Sequence, residues 1–128
     1  MSQPTLLCVD DRPLLLQLRQ AMLEDHGFSV VTASDAPTAL AQLETLAVAA
    51  VILEYKSAGM DAEAMAWLIK RKFPHQRIVL LSAYSDVPER VLWLVDEYVM
   101  RSEPLDGLLQ VIDRVTDSAI AKGARAAA

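Results

Sequence analysis

The chain has 128 residues, a formal net charge of -5 and a sequence pI of about 4.9. This length suits one domain around a single core, which we expect to span residues 1–120, followed by an alanine-rich tail over 121–128 that frays. The acidic balance, without a basic stripe, argues against nucleic-acid binding and favours a protein partner.

The lone cysteine and the polar start of the chain predict its compartment. Cys8 lies inside the first apolar run, which excludes an internal disulfide and predicts a buried thiol in a reducing environment. The start MSQPT lacks the features of a secretory signal, and the longest apolar run, Leu46–Leu53, is too short to cross a bilayer. We therefore expect a cytoplasmic protein that has no contact with a membrane.

In the first half of the chain, short apolar runs alternate with segments of helical periodicity. The runs have the length and the contiguous apolarity of strands that are covered on both faces. Ser34 or Asp35 is positioned to cap the second helix. In the first helix the following apolar residues recur at helical spacing: Leu14, Leu15, Leu18 and Met22. The predicted elements are strand Thr5–Val9, helix Pro13–His26, strand Phe28–Thr32, a helix to about Leu46, and strand Val51–Leu53.

The second half continues the alternation after a loop that contains Gly59. Its predicted elements are helix Asp61–Phe73, strand Ile78–Leu81, a short helix Pro88–Val95, strand Tyr98–Met100 and a last helix opened by Pro104. Five strand-helix units with right-handed crossovers give a doubly wound α/β fold. We therefore expect a five-stranded parallel sheet in the order 2-1-3-4-5 with helices on both faces.

Polar side chains follow the predicted strands at their carboxyl ends, where open α/β sheets bind ligands. They are Asp10, Asp11, Glu54, Ser82 and Arg101. Because three clustered carboxylates repel one another, they stay ionised together only around a cation, and hard oxygen ligands favour magnesium. The alternative for Asp10 and Asp11 is capping of the helix that follows them.

With these residues in place, the chain resembles the receiver domain of bacterial response regulators over nearly its whole length. The segments that carry the resemblance are VDDRP after the first strand, the loop Glu54–Asp61, LLSA around Ser82, and DEYVMR, which ends at Arg101. The resemblance implies a flavodoxin-like three-layer sandwich. It also implies a non-enzymatic signalling module of a two-component phosphorelay, in which a histidine kinase phosphorylates an aspartate on the third strand.

The resemblance also implies a role for individual residues. Ser82 corresponds to the hydroxyl that contacts the phosphoryl group and, together with the aromatic Tyr98, belongs to the conformational switch. Glu54 stands at the phosphoacceptor position and Arg101 at the position of the phosphate-contacting lysine. The metal ligands would be Asp10, Asp11, Glu54 and the backbone carbonyl of Lys56.

Two of these positions depart from the pattern of the family, since Glu54 replaces an aspartate and Arg101 replaces a lysine. The interval between Ser82 and Arg101 is also shorter than is usual for the family, and the missing residues are taken from the helix before the last strand. Glutamate has one methylene more than aspartate, which moves its carboxylate by roughly one ångström. A displacement of this size is enough to lower the rate of phosphoryl transfer on the order of a hundredfold. We therefore predict a direct Glu54–Arg101 ion pair, weak or absent magnesium binding, and a module whose ordinary phosphorylation is lost or impaired.

Two other functions remain open at this point. One is a working phosphoacceptor receiver with an unusual acid. The other is a magnesium-dependent phosphatase with Asp10 as nucleophile, which the sequence disfavours because Arg12 stands where a second acid is needed.

The expected partner is a histidine kinase or a downstream effector, and a homodimer would use the face of the fourth helix, fifth strand and fifth helix. Trp93 is interpreted as a core residue, with a partner surface as the alternative.

Overall fold

The computed structural model describes residues 3–55, 61–83, 87–100 and 107–116. The predicted tail over 121–128 lies outside these ranges, as do Lys56 and Arg101. In chain order the elements are β1 (Thr5–Val9), α1 (Pro13–Asp25), β2 (Ser29–Ala33), α2 (Ala36–Thr45), β3 (Ala50–Glu54), α3 (Ala62–Lys72), β4 (Ile78–Ser82), α4 (Glu89–Leu92), β5 (Glu97–Met100) and a helix over 107–116, called α5 here.

The strands form one parallel sheet in the order β2-β1-β3-β4-β5, which confirms the predicted topology. Val9 at the end of β1 is paired with both Ala33 and Leu53, and Ser82 at the end of β4 is paired with Met100. The strands therefore end nearly level with one another, so the residues at their carboxyl ends share one edge of the sheet.

The apolar core lies on both faces of the sheet. Along β1, Leu7 and Val9 belong to the cluster under α2, α3 and α4, whereas Leu6 and Cys8 belong to the cluster under α1 and α5. Every residue of β3 and β4 is buried. This two-sided burial explains why the strands are contiguous apolar runs and do not alternate with polar residues. Among the described residues, no helix combines the length and the apolarity of a bilayer-crossing segment.

Local chemistry determines where the first three helices begin and end. Pro13 occupies the first turn of α1, and Gly27 follows the helix with a φ of 93°, a conformation that favours glycine. The carboxylate of Asp35 accepts a hydrogen bond from the backbone N–H of Thr38 at 2.8 Å, so Asp35 caps α2. Asp61 caps α3 in the same way.

Helix α1 does not turn its most regular apolar stripe toward the sheet. Leu14, Leu18 and Met22, three of the four apolar residues at helical spacing, are exposed. The buried residues of α1 are Leu16, Arg19 and Leu23. An arginine therefore occupies the centre of the inward face, where periodicity alone favours a leucine.

Helix α4 is shorter than the sequence predicts, and Trp93 does not lie in the core. The helix predicted over Pro88–Val95 is too long at its C-terminal end, since the helix covers Glu89–Leu92 with Pro88 at its N-cap. The side chain of Trp93 is 80% exposed, so its interpretation as a core residue is also wrong. A helix of one turn buries a single narrow face, which Val91 occupies here.

Asp96, just before β5, connects three elements at the amino edge of the sheet. Its carboxylate accepts hydrogen bonds from Lys70 Nζ at 2.7 Å, the backbone N–H of Ile78 at 2.8 Å and Arg77 Nη1 at 3.2 Å. Burial raises the pKa of Asp96, but the bonds from Lys70, Ile78 and Arg77 outweigh burial and lower the pKa below its ordinary value.

We expect Asp96→Asn to lower the free energy of unfolding by about 1 to 3 kcal/mol at neutral pH, because it weakens charge-assisted hydrogen bonds. A lowered carboxyl pKa stabilises the fold above the ordinary Asp pKa of about 3.9, and this contribution is lost as the pH falls through the lowered value. Urea unfolding across this range should show the difference between variant and parent shrinking in acid. Glu97→Gln, which affects the surface pair with Arg114, is the control, and a constant difference at all pH values would contradict the prediction.

Candidate functional site

Apart from Tyr98, the predicted site residues that the structure describes lie at the carboxyl edge of the sheet. Asp10 directly follows β1, Glu54 is the last residue of β3 and Ser82 is the last of β4, and all three are buried. Asp11 is half-buried beside them, and Tyr98 is half-buried within β5, opposite Leu80. Parallel strands that end level account for this grouping.

Arg12 holds Asp10 through a fork of hydrogen bonds. Asp10 Oδ1 accepts from the backbone N–H of Arg12 at 3.0 Å and from Nε at 3.1 Å, and Oδ2 accepts from Nη2 at 3.0 Å. The same Nη2 lies 3.1 Å from Glu54 Oε1. Arg12 thus bridges acids that belong to two different strands, while its side chain stays 38% exposed.

The N-terminus of α1 does not use Asp10 as a cap. Arg12 occupies the N-cap position, and its side chain makes no capping hydrogen bond. The Asp10 carboxylate is turned to the arginine fork instead. The capping alternative for Asp10 is therefore wrong.

Arg19 approaches the same two acids from inside the protein. Its Nη1 lies 3.6 Å from Asp10 Oδ2 and its Nη2 lies 3.7 Å from Glu54 Oε2, with the residue only 5% exposed. Glu54 follows Ile52 by two residues in β3, so both point to the face that α1 covers. The inward face of α1 therefore delivers Arg19 to Glu54.

The two arginines change the electrostatics of the residues around them. Burial raises the pKa of Asp10, but the hydrogen bonds and charge of Arg12, together with the charge of Arg19, outweigh burial and leave it below its ordinary value. Burial raises the pKa of Cys8 to about 12, and the charge of Arg19 only partly opposes this. Asp10 is therefore anionic at neutral pH, and Cys8 is a buried thiol, as predicted.

Sequence reasoning missed both Arg12 and Arg19 as site residues. The available signal for Arg19 was its position three residues after Leu16 and four before Leu23, on the helix face that also carries those two leucines. The predicted partner of Glu54, Arg101, lies outside the described residues, so that ion pair stays a prediction. Within the described ranges, no group of three His, Cys, Asp or Glu residues is arranged to hold a metal ion.

The geometry and the fold agree with the family to which the chain belongs. The family model described as "Response regulator receiver domain" matches residues 6–102. The chain is therefore a member of the response-regulator receiver family. Receiver domains of two-component systems are, in general, signalling modules that do not act as enzymes on other molecules.

Two curated relatives and one solved protein illustrate the similarity. The chain is 32% identical over 125 residues to the sensor protein GacS of Pseudomonas syringae pv. syringae, covering 91% of this chain and 14% of GacS. It is 32% identical over 111 residues to the transcriptional regulatory protein GlrR of Escherichia coli, covering 84% of this chain and 25% of GlrR. The chain thus spans a quarter or less of the length of these relatives.

The solved protein is the response regulator TrrA of Thermotoga maritima, in complex with Mg²⁺-BeF. It has 29% sequence identity and a TM-score of 0.81, covering 88% of this chain and 99% of TrrA. TrrA has also been solved in complex with the histidine kinase ThkA, where the TM-score is 0.80 and the coverage is 88% of this chain and 98% of TrrA.

We expect Glu54→Gln to lower the free energy of unfolding by about 1 to 3 kcal/mol, although glutamine has nearly the same shape. Within the part of the chain that the structure describes, the substitution leaves buried Arg19 with one ion-pair partner, Asp10. Urea denaturation at neutral pH measures the change. The matched control is Glu44→Gln, which removes an exposed ion pair with Lys72 and should have no measurable effect. Equal stability of Glu54→Gln and the parent would contradict the importance of this charge.

Proposed function

We propose that the chain is a receiver module of a two-component phosphorelay in which ordinary phosphorylation is lost or impaired, and which acts through contacts with another protein. The observation that carries the proposal is the environment of Glu54. Its carboxylate is 2% exposed and lies 3.1 Å from Arg12 and 3.7 Å from Arg19. A nucleophile needs a free approach to the phosphorus atom, and a carboxylate between two guanidinium groups lacks one.

The side chain of glutamate adds to this obstruction. It is longer than that of aspartate by one methylene, so on an unchanged backbone its oxygens lie about one ångström from the productive position. In this proposal Asp10 and Asp11 keep the positions of the metal-binding acids and Ser82 that of the hydroxyl, with Tyr98 as the switch aromatic. Lys56 would complete the site with its backbone carbonyl as a metal ligand, and Arg101 would stand at the position of the family's phosphate-contacting lysine.

A small-molecule phosphodonor tests the proposal directly. After incubation with acetyl phosphate and magnesium, intact mass measurement of the parent should show no stable gain of a phosphoryl group. Glu54→Asp alone should recover little labelling, because Arg101 remains, whereas Glu54→Asp with Arg101→Lys should recover more. Efficient labelling of the parent at Glu54 would instead support a working phosphoacceptor. Catalytic turnover of the donor without labelling would support the phosphatase alternative.

The proposed mode of action is a protein contact, with a histidine kinase or a downstream effector as partner. The complex of the similar TrrA with a histidine kinase supports this class of partner.

Within this proposal, the face of α4, β5 and α5 joins two copies of the chain. Trp93 contributes a large exposed ring next to the end of α4, and the pair of Arg114 on α5 with Glu97 on β5 adds both signs of charge to the same face. An interface around a two-fold axis requires a self-complementary patch, and an exposed aromatic ring together with groups of both charge signs on these elements supports the choice of this face.

We expect the parent to form dimers in a concentration-dependent manner in analytical ultracentrifugation, and Trp93→Ala to shift the equilibrium toward monomer by at least about tenfold, as for a moderate interface hot spot. Trp67→Ala is the matched control, because Trp67 is an exposed tryptophan on α3 that stacks with Arg71. A parent that stays monomeric at high concentration, or equal effects of the two substitutions, would contradict the proposed face.

A further inference from the structure

Arg19 is an unusual residue for the inward face of a helix that packs on a sheet. It lies between Leu16 and Leu23, which are both buried in the core cluster under α1. A guanidinium in such a place loses its hydration, and that loss is compensated only where nearby anions balance the charge. Among the described residues, Arg19 forms ion pairs with the carboxylates of Asp10 and Glu54.

Arg19 acts on these carboxylates mainly through its charge. Its distances of 3.6 and 3.7 Å exceed those of direct charge-assisted hydrogen bonds, about 2.7 to 2.9 Å. Within the described part of the chain, its Nη1 has no hydrogen-bond partner. Arg12 differs, since it binds Asp10 with a close fork and stays partly in solvent. The buried Arg19 therefore balances the charge of the carboxylates, while the half-exposed Arg12 forms direct hydrogen bonds with Asp10.

The residues of the pocket do not fit a divalent cation well. Magnesium requires close oxygen ligands in nearly octahedral geometry, at about 2.0 to 2.1 Å. Here Asp10 and Glu54 each already face two guanidinium groups, from Arg12 and Arg19. A bound magnesium ion would be repelled by both guanidinium groups and would have to replace their contacts with the acids.

We infer that Arg19 is a built-in counter-ion that takes the place of a divalent metal, so that the pocket keeps its charge balance and its conformation without magnesium. The inference rests on the proposed function only in assigning this pocket as the metal site of a receiver. It assigns Arg19 a positioning role: the buried guanidinium holds the carboxylates of Asp10 and Glu54 together from the side opposite to solvent.

Removal of this charge should create a dependence on magnesium. We choose Arg19→Met, because methionine is unbranched, helix-compatible and close to arginine in length. The melting temperature of the parent should be the same in millimolar magnesium chloride as in sodium chloride of equal ionic strength. That of Arg19→Met should rise by several degrees with magnesium. By isothermal titration calorimetry, the variant should bind magnesium at least about tenfold more tightly than the parent, which corresponds to about 1.4 kcal/mol.

The matched control is Arg71→Met, which makes the same change of net charge at an exposed position in the last turn of α3, outside the acid pocket and outside the proposed dimer face. It should show no specific response to magnesium, and this separates a local site from general screening of an acidic protein. A second variant, Arg19→Met with Glu54→Gln, removes one charge of each sign. It should be more stable than Arg19→Met in the absence of magnesium and should respond less to the ion.

Each outcome of these measurements bears on the inference. If Arg19→Met is unfolded without magnesium, the inference requires that magnesium restore the fold, and failure to do so would overturn it. Tight stoichiometric magnesium binding by the parent, or a folded Arg19→Met that does not respond to the ion, would also overturn it. The proposed function fails on a different readout, phosphoryl labelling of the parent, so the two failures are distinguishable.

Discussion

Buried carboxylates that need a counter-charge dominate the carboxyl edge of this sheet. Asp10 and Glu54 come from neighbouring strands that end level, so the topology itself brings two negative charges together in a site that water barely reaches. Such charges persist only when cations balance them, since otherwise the acids take up protons and become neutral. Arg12 supplies one cation from the loop after β1, and Arg19 supplies a second from the helix that returns over the same edge.

This electrostatic requirement also affects the surface of α1. A helix has one inward face, and here Arg19 occupies its centre, with Leu16 and Leu23 on either side. The apolar side chains on the opposite part of the helix, Leu14 and Leu18, are therefore exposed. The charge balance of the site and the character of the neighbouring surface thus have the same cause, because the rotation of one helix about its axis determines both.

The parts of the structure that were predictable from sequence depend on short-range patterns. Contiguous apolar strands, Pro13 at the start of a helix and a glycine after its end each reflect an interaction within a few residues. The same reasoning failed at Trp93, and it did not identify the buried face of α1, because both outcomes depend on what packs against the residue. A single-turn helix leaves Trp93 in solvent, although its apolar neighbours favoured a core position.

By itself, the sequence determined the number, type and order of the strands and helices, and it identified Asp10, Glu54 and Ser82 as residues at strand ends. Strand ends are readable because each polar residue directly follows an apolar run and all parallel strands point the same way. Only the tertiary structure decided which cations Glu54 meets. Arg12 lies 42 and Arg19 lies 35 positions before Glu54 in the chain, and no local pattern encodes contacts at such separations. They arise from the register of β1 beside β3 and from the rotation of α1 over both strands.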